Sequence, residues 1–177
     1  AEALLARAER VVGGDKIPGG TTDASDLRMA RAAILRDRGD FHGALALLRE
    51  VELEAEASGE PEHPRYLILY RELGRTFKEL GELEEARSAL ELSLRMAREY
   101  AGDSHPDVDT ALFSLAQLEA NLGDLRRAED LMRECLSRDE DRFGPHHYYP
   151  ALVKAQLAMV LGQLDRVDES EAMFRDA

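Results

Sequence analysis

The stretch LGDLRRAEDLMREC, residues 122–135, nearly repeats the stretch LGELEEARSALELS, residues 80–93, at an offset of 42 residues. Both begin with Leu-Gly, continue with an acidic residue and a leucine, and place alanine at their seventh position. Self-similarity at a period of about 20–50 residues is typical of repeat proteins, whose similar units stack and bury their apolar faces together. The offset therefore predicts a stack of similar units.

Columns of similar residues follow the same 42-residue spacing through the rest of the chain. A turn column consists of Gly39, Gly81, Gly123 and Asp165. Two small-residue columns consist of Ala32, Gly74, Ala116 and Ala158, and of Ala44, Ala86, Ala128 and Ser170. A large apolar column consists of Phe41, Leu83, Leu125 and Val167. A histidine column consists of His63, His105 and His147, after an interruption at Thr21.

Each unit contains the pattern of two helices joined by a tight turn. In the third unit, apolar residues recur with a helical period up to Leu122, Gly123 ends that helix, and Asp124 caps the next one. The spacing predicts first helices that start near residues 25, 67, 109 and 151, and second helices that start near 41, 83, 125 and 167. The small columns are expected where two helices cross at about 8–10 Å.

These motifs resemble the tetratricopeptide repeat, as the stretches LAQLEANLGDLRRAEDLMREC (115–135) and LGRTFKELGELEEARSALELS (73–93) show. The usual unit has about 34 residues. The unit here has 42, with an HP turn in GDSHPDVDTAL (102–112) and EPEHPRYLILY (60–70), which resembles the kinesin-light-chain type. From about residue 21 to residue 177, the resemblance implies an all-α, right-handed solenoid of about four antiparallel helix pairs.

The domain organisation that follows is a single repeat domain over residues 1–177. Residues 1–20 are predicted as an orphan second helix and a loop, followed by repeats at 21–62, 63–104, 105–146 and 147–177. The chain does not begin with Met and ends within a helical pattern, so we expect a piece of a longer protein. Its terminal helices should then expose apolar residues and allow self-association, through Leu4, Leu5, Met173 and Phe174.

Composition excludes several classes of partner and site. The net charge is −13, which disfavours nucleic acid and anionic membranes as partners, and no apolar run is long enough for a membrane span. The single Cys135 and the lack of a visible signal peptide favour a cytoplasmic location. Histidines one repeat apart cannot share a metal ion, and GGDKIPGG (13–20) lacks the order of a phosphate loop. We therefore expect no metal, no cofactor and no catalytic residues.

Candidate partner-binding residues lie on the first helices, which line the concave face in the family that the chain resembles. A basic stripe consists of Arg36, Arg71, Arg75 and Lys78. On the later first helices the stripe continues with both polar and apolar side chains, which are Phe113, Gln117, Asn121, Gln156 and Met159. The stripe predicts a contact with an acidic partner, whereas the alternative is that its cations pair with neighbours such as Glu72 and Glu79.

The sequence thus predicts a non-catalytic scaffold that presents a concave groove to a peptide or helix of another protein. An alternative is a regulatory or oligomerisation arm of a larger enzyme, such as a signalling kinase or an ATPase. The family resemblance also implies a third possibility, an adaptor for cytoskeletal or motor proteins. The repeat pattern does not favour that class of partner over others.

Overall fold

The computed structural model describes residues 24–59 and 63–177, and the described residues form eight α-helices and no strand. The helices are α1 (Ala24–Asp37), α2 (Phe41–Ala57), α3 (Leu67–Leu80), α4 (Leu83–Met96), α5 (Pro106–Leu122), α6 (Leu125–Phe143), α7 (Tyr148–Gln163) and α8 (Val167–Asp176). A 3₁₀ turn at Pro64–Tyr66 precedes α3, and a π-helical turn at Ala97–Ala101 extends α4. The predicted orphan helix at 1–20, with Leu4 and Leu5, lies outside the described residues.

The helix starts agree with the predicted repeat, with one systematic difference. The second helices start at residues 41, 83, 125 and 167, as predicted. However, α5 and α7 start at Pro106 and Tyr148, three residues before the predicted positions 109 and 151. The reason is a histidine cap: the Nδ1 atoms of His105 and His147 accept hydrogen bonds from the backbone N–H groups two residues later. The histidine column therefore marks the N-caps of these two helices.

The turn column reverses the chain within each helix pair. Gly39, Gly81 and Gly123 adopt φ angles of 83°, 82° and 84°, in the left-handed region where a side chain is disfavoured. Asp165 occupies the fourth position of the column and also has a positive φ, of 59°. The same turn therefore recurs in all four pairs although its fourth residue is not glycine.

The small columns lie where the two helices of a pair cross. A Cβ atom added to Gly74 in α3 would lie 2.5 Å from Cγ of Leu90 in α4, so no side chain fits there. In the last pair the polar member of the column stays satisfied, because the hydroxyl of Ser170 donates to the carbonyl of Ala158 at 2.7 Å. Small side chains thus permit close crossing in each pair, as the sequence predicted.

Successive repeats are joined by apolar packing and by a set of ion pairs. The buried apolar side chains of α1–α7 form one continuous cluster. Ion pairs between residues 36 positions apart join one repeat to the next, and these pairs are Arg36–Glu72, Arg71–Asp107, Glu91–Arg127 and Arg98–Glu134. A similar pair, Glu129–Arg166, joins residues 37 apart. We call the ion pairs of this set the cross-repeat pairs.

Candidate partner-binding face

All nine candidate binding residues lie on the first helices of their repeats. Arg36 lies on α1, three residues lie on α3, three on α5 and two on α7. We call the surface formed by α1, α3, α5 and α7 the first-helix face. The structure divides the nine residues among three sites along this face.

The first site is built around a buried carboxylate, that of Glu72, which is 5% exposed. Arg36 donates a hydrogen bond to Glu72 from the neighbouring helix α1. The guanidinium groups of Arg71 and Arg75 each lie 3.6 Å from a Glu72 oxygen. Two further carboxylates complete the cluster, because Arg36 contacts Asp37 at 3.1 Å and Arg71 contacts Asp107 at 3.3 Å. Three arginines are therefore matched by three carboxylates.

This arrangement changes the prediction for Arg36. The sequence placed Arg36 on an exposed stripe, but its side chain is only 8% exposed, because helix stacking presses it against α3 beside Glu72. Arg71 is 15% exposed, and its buried Nε has no hydrogen-bond partner among the described residues. Arg75 is the most exposed of the three, at 43%. Burial, and then the charge of Arg36, lower the pKa of Arg75 from its usual value.

The second site is a cavity of about 230 Å³ between α3, α5 and α7. Five of the nine candidate residues line it, and they are Lys78, Gln117, Asn121, Gln156 and Met159. Gln163 adds a fourth side-chain amide, so we call this site the amide cavity. Amide side chains both donate and accept hydrogen bonds, as does a peptide backbone. Met159 at its edge is 52% exposed, which adds an apolar contact surface.

The third site is a cavity of about 280 Å³ between α5, α6 and α7, and Phe113 lines it. Phe143 and Tyr149 also line the cavity, with ring centroids 5.2 Å apart, and His147 stacks on Phe143 at 4.8 Å. We call this site the aromatic cavity. Leu152 and Val153 complete its apolar wall.

Two carboxyl groups lie in this wall that sequence reasoning did not assign to a site. Asp109 is 7% exposed and Asp139 is 6% exposed, and both line the aromatic cavity. The sequence analysis treated charged runs as solvated surface, yet Asp139 lies on the buried stripe of α6 with Ala128, Met132 and Cys135. These four residues have helical spacing, and that spacing was the signal that could have placed Asp139 inside.

Cys135 is buried beside Asp139, at the boundary of the aromatic cavity. Its side chain is 2% exposed, and its Sγ donates to the backbone carbonyl of Asp109 at 3.5 Å. Burial, followed by the nearby charges of Asp139 and Asp109, raises the pKa of Cys135 to about 12. The group is therefore a neutral thiol at physiological pH, and a neutral thiol is a poor nucleophile.

Within residues 24–59 and 63–177, no three side chains among His, Cys, Asp and Glu are placed to hold a metal ion together. In the same part of the chain, no helix combines the length and the apolar character that crossing a membrane requires.

The chain resembles known proteins in its repeat and in its fold. A family model described as "Tetratricopeptide repeat" matches residues 23–99 and 79–141, and no curated protein matches. BtubC (BKLC) from P. vanneervenii has a similar structure, with a TM-score of 0.75 and 22% identity over 99% of this chain and 68% of its own. A putative kinesin light chain from Podosopora anserina has a TM-score of 0.74, with 18% identity over 99% of this chain and 84% of its own.

A third solved structure is less similar to the chain. MamA has a TM-score of 0.64, with 13% identity over 99% of this chain and 85% of its own. At these identities, the likeness shows the fold alone. The family model covers most of the chain, and the helix pairs follow the 42-residue spacing with the caps and turns described above. The chain therefore belongs to the tetratricopeptide repeat family.

Proposed function

We propose that the chain is a non-catalytic scaffold whose first-helix face binds a peptide or helix of another protein. The observation that carries the proposal is that five candidate residues from three successive first helices line one open cavity, the amide cavity. Proteins of this family are generally scaffolds for protein–protein interaction. A preformed stack loses little conformational entropy on binding, which favours affinity for a flexible partner.

Helix packing supports this choice of face. Successive first helices contact each other directly, α1 with α3 and α3 with α5, in addition to the packing of each second helix on the next first helix. Direct contact brings the first helices close together, which is the packing expected on the inner side of a curved stack. A partner segment on this side can reach α3, α5 and α7 at once.

The charge of the partner is a finer part of the proposal. We propose that Arg75 contacts an acidic residue of the partner. Arg75 is 43% exposed, whereas Arg36 and Arg71 are largely paired with carboxylates of the chain itself. Charge reversal at Arg75 should weaken such a contact without unfolding the chain. Reversal at Arg71 should also lower stability, because it would place a carboxylate beside Glu72 and Asp107.

The test is selection of binding peptides from a random library displayed against the 177-residue chain. Selected peptides should shift backbone resonances of α3, α5 and α7 in heteronuclear NMR spectra, and Met159→Glu should weaken their binding about tenfold or more. The matched control is Val167→Glu, which changes an equally exposed apolar residue on a second helix. Peptides that shift only second-helix resonances, or that bind Met159→Glu unchanged, would contradict the proposal.

Two other functions remain predictions. An arm of a larger enzyme is distinguished from a free-standing scaffold by the sequence of the full-length protein. A cytoskeletal or motor adaptor is distinguished by co-sedimentation of the chain with polymerised tubulin, with Val167→Glu and Met159→Glu as paired variants. The contacts on the first-helix face favour neither over the general scaffold.

A further inference from the structure

The aromatic cavity combines an apolar wall with incompletely paired carboxyl groups. Its volume of about 280 Å³ is of the size of one large side chain with some room to spare, and Phe113, Phe143 and Tyr149 supply three aromatic rings. Tyr149 and Leu152 at its rim are 50% and 38% exposed, so the cavity is accessible from the first-helix face. A chain segment bound to that face therefore passes beside its opening.

Among the described residues, Asp139 accepts only a weak hydrogen bond, from Cys135. Its side chain is 6% exposed, and its contact with Cys135 is a long one, with 4.0 Å between Oδ2 and Sγ. Burial, and then the charge of Asp109, raise the pKa of Asp139 from its usual value of 3.8. A buried carboxyl group without a strong hydrogen bond costs free energy, and that cost falls when a donor reaches it.

Two cations lie nearby, Arg138 and Arg142, and Arg142 lines the cavity over the ring of Phe143, but their hydrogen bonds go to groups other than Asp139. Arg138 donates to a carboxyl oxygen of Asp109 and to the backbone carbonyl of Asp103. Arg142 donates to the carbonyl of Ser104 at 2.6 Å, and its Nη2 lies 2.9 Å from Oδ2 of Asp109. That ion pair is not aligned as a hydrogen bond, and Oδ2 of Asp109 is buried with no hydrogen-bond partner in the described part of the chain. The cavity therefore has carboxyl oxygens that can accept further hydrogen bonds.

We propose that the aromatic cavity binds a lysine side chain of the partner segment, with its ammonium group donating to Asp139; this inference rests on the proposed scaffold function. The four-carbon stem of lysine suits the apolar wall, and its compact ammonium carries three donors. Aromatic rings stabilise a cation near their faces. The net charge of −13 also attracts a cationic residue over a distance.

The proposal has a pH dependence with a definite sign. An ammonium binds the ionised form of Asp139, so lysine affinity should rise with pH as this carboxyl group loses its proton. The charged and titratable groups that face Asp139 are Asp109 from α5, Cys135, Arg138 and Arg142 from α6, and His147 from the turn before α7.

The experiment titrates the 177-residue chain with Nα-acetyl-lysine amide and, separately, with Nα-acetyl-norleucine amide, which has the same stem without the ammonium. Binding is followed through the methyl resonances of Val153, which lines the cavity. The lysine compound should bind about tenfold more tightly at pH 7, and its advantage should grow as the pH rises above 3.8, the usual pKa of an aspartate, because the pKa of Asp139 is raised. Asp139→Asn should reduce that advantage to about twofold or less, since it removes the ionisable acceptor.

Two controls accompany the titration. Asp141→Asn changes an exposed aspartate two residues away and should leave the lysine preference intact. Leu152→Trp at the cavity rim should block both compounds without touching Asp139. Equal or tighter binding of norleucine, a lysine preference that survives Asp139→Asn, or no shift at Val153 would each overturn the proposal. Peptides that bind the first-helix face without placing a lysine in this cavity would overturn the lysine proposal but not the scaffold function. If no peptide binds that face, the scaffold function itself is overturned.

Discussion

Two helical glycines show how strongly the local environment decides the effect of one methyl group. Gly74 lies at the crossing of α3 and α4, where an added Cβ would come within 2.5 Å of Leu90 and 3.1 Å of the carbonyl of Ala86. Gly162 lies near the end of α7, where an added Cβ would meet only the hydroxyl of Ser170, at 3.5 Å. The first contact is a clash and the second is ordinary packing.

Alanine at these two positions should therefore have opposite effects. We expect Gly162→Ala to raise the free energy of unfolding by about 0.4–1 kcal/mol, because alanine has the higher helix propensity. Gly74→Ala should lower it by about 1–3 kcal/mol, because the clash forces the two helices apart. Urea denaturation followed by circular dichroism measures both. Stabilisation by both substitutions would mean that the α3–α4 crossing has more space than the structure indicates.

At the scale of single elements, charged side chains tie the last repeat to the third repeat and also tie its own two helices together. Glu129 on α6 accepts hydrogen bonds from Arg133 at 2.7 Å and from Arg166 at 2.6 Å. Burial would raise the pKa of Glu129, but these hydrogen bonds outweigh it, and the pKa falls below its usual 4.5. A hydrogen bond from Lys154 in α7 likewise lowers the pKa of Asp176 in α8 below 3.8.

Acid should therefore loosen the last repeat. A carboxylate with a lowered pKa stabilises the fold fully above its usual pKa, and this contribution disappears as the pH falls through the lower folded value. We expect amide exchange in α7 and α8 to quicken relative to α5 as the pH falls from about 5 to about 2. Hydrogen exchange with mass spectrometry measures this. Glu129→Gln should flatten the dependence, whereas Glu171→Gln, in an exposed pair, should leave it unchanged.

The elements were largely predictable from the sequence because the repeat constrains them. Turn residues recur every 42 positions, so the starts of all four second helices were predicted correctly. The starts of α5 and α7 were predicted three residues late, since the periodic apolar residues begin inside a helix whereas the histidine caps lie before it. Periodicity locates a helix, but the capping hydrogen bond fixes its first residue.

The candidate site was predictable only in part. Five residues gather at the amide cavity, because helical spacing and repeat spacing together fix which side chains share a face. Arg36 was wrongly placed on the surface, since its pairing with Glu72 depends on the distance between stacked helices. Asp139 was missed because a charged run suggested solvent exposure. Contacts between repeats are therefore where sequence reasoning alone fell short.

At the scale of the whole molecule, one buried carboxylate links two repeats. Glu119 on α5 is fully buried, and it accepts hydrogen bonds from Nε and Nη2 of Arg87 on α4 at 3.0 and 2.8 Å. Arg127 on α6 lies 3.4 Å from the same side chain. The carboxylate thus connects the second repeat to both helices of the third.

Removal of this carboxylate should cost more than removal of any exposed ion pair. We expect Glu119→Ala to lower the free energy of unfolding by about 3 kcal/mol. This value is near the lower end for a broken buried ion pair, because both arginines can partly rehydrate. Glu171→Ala, in the exposed pair with Arg175, should change it by less than about 0.5 kcal/mol. Thermal and urea unfolding of the two variants provide the comparison. Equal losses would show that Glu119 contributes no more than a surface charge.

The cross-repeat pairs also determine how easily the stack of helices bends. The Arg36–Glu72 pair lies on the first-helix face. The Arg98–Glu134 pair joins second helices on the other side of the stack. Bending the stack in either direction therefore stretches one of these pairs. Arg98 and Glu134 are 42% and 40% exposed, and salt screens such a pair, whereas the buried Arg36–Glu72 pair is screened much less. Added salt should therefore weaken the exposed Arg98–Glu134 pair before the buried Arg36–Glu72 pair. The stiffness of the stack thus becomes a property that ionic strength adjusts.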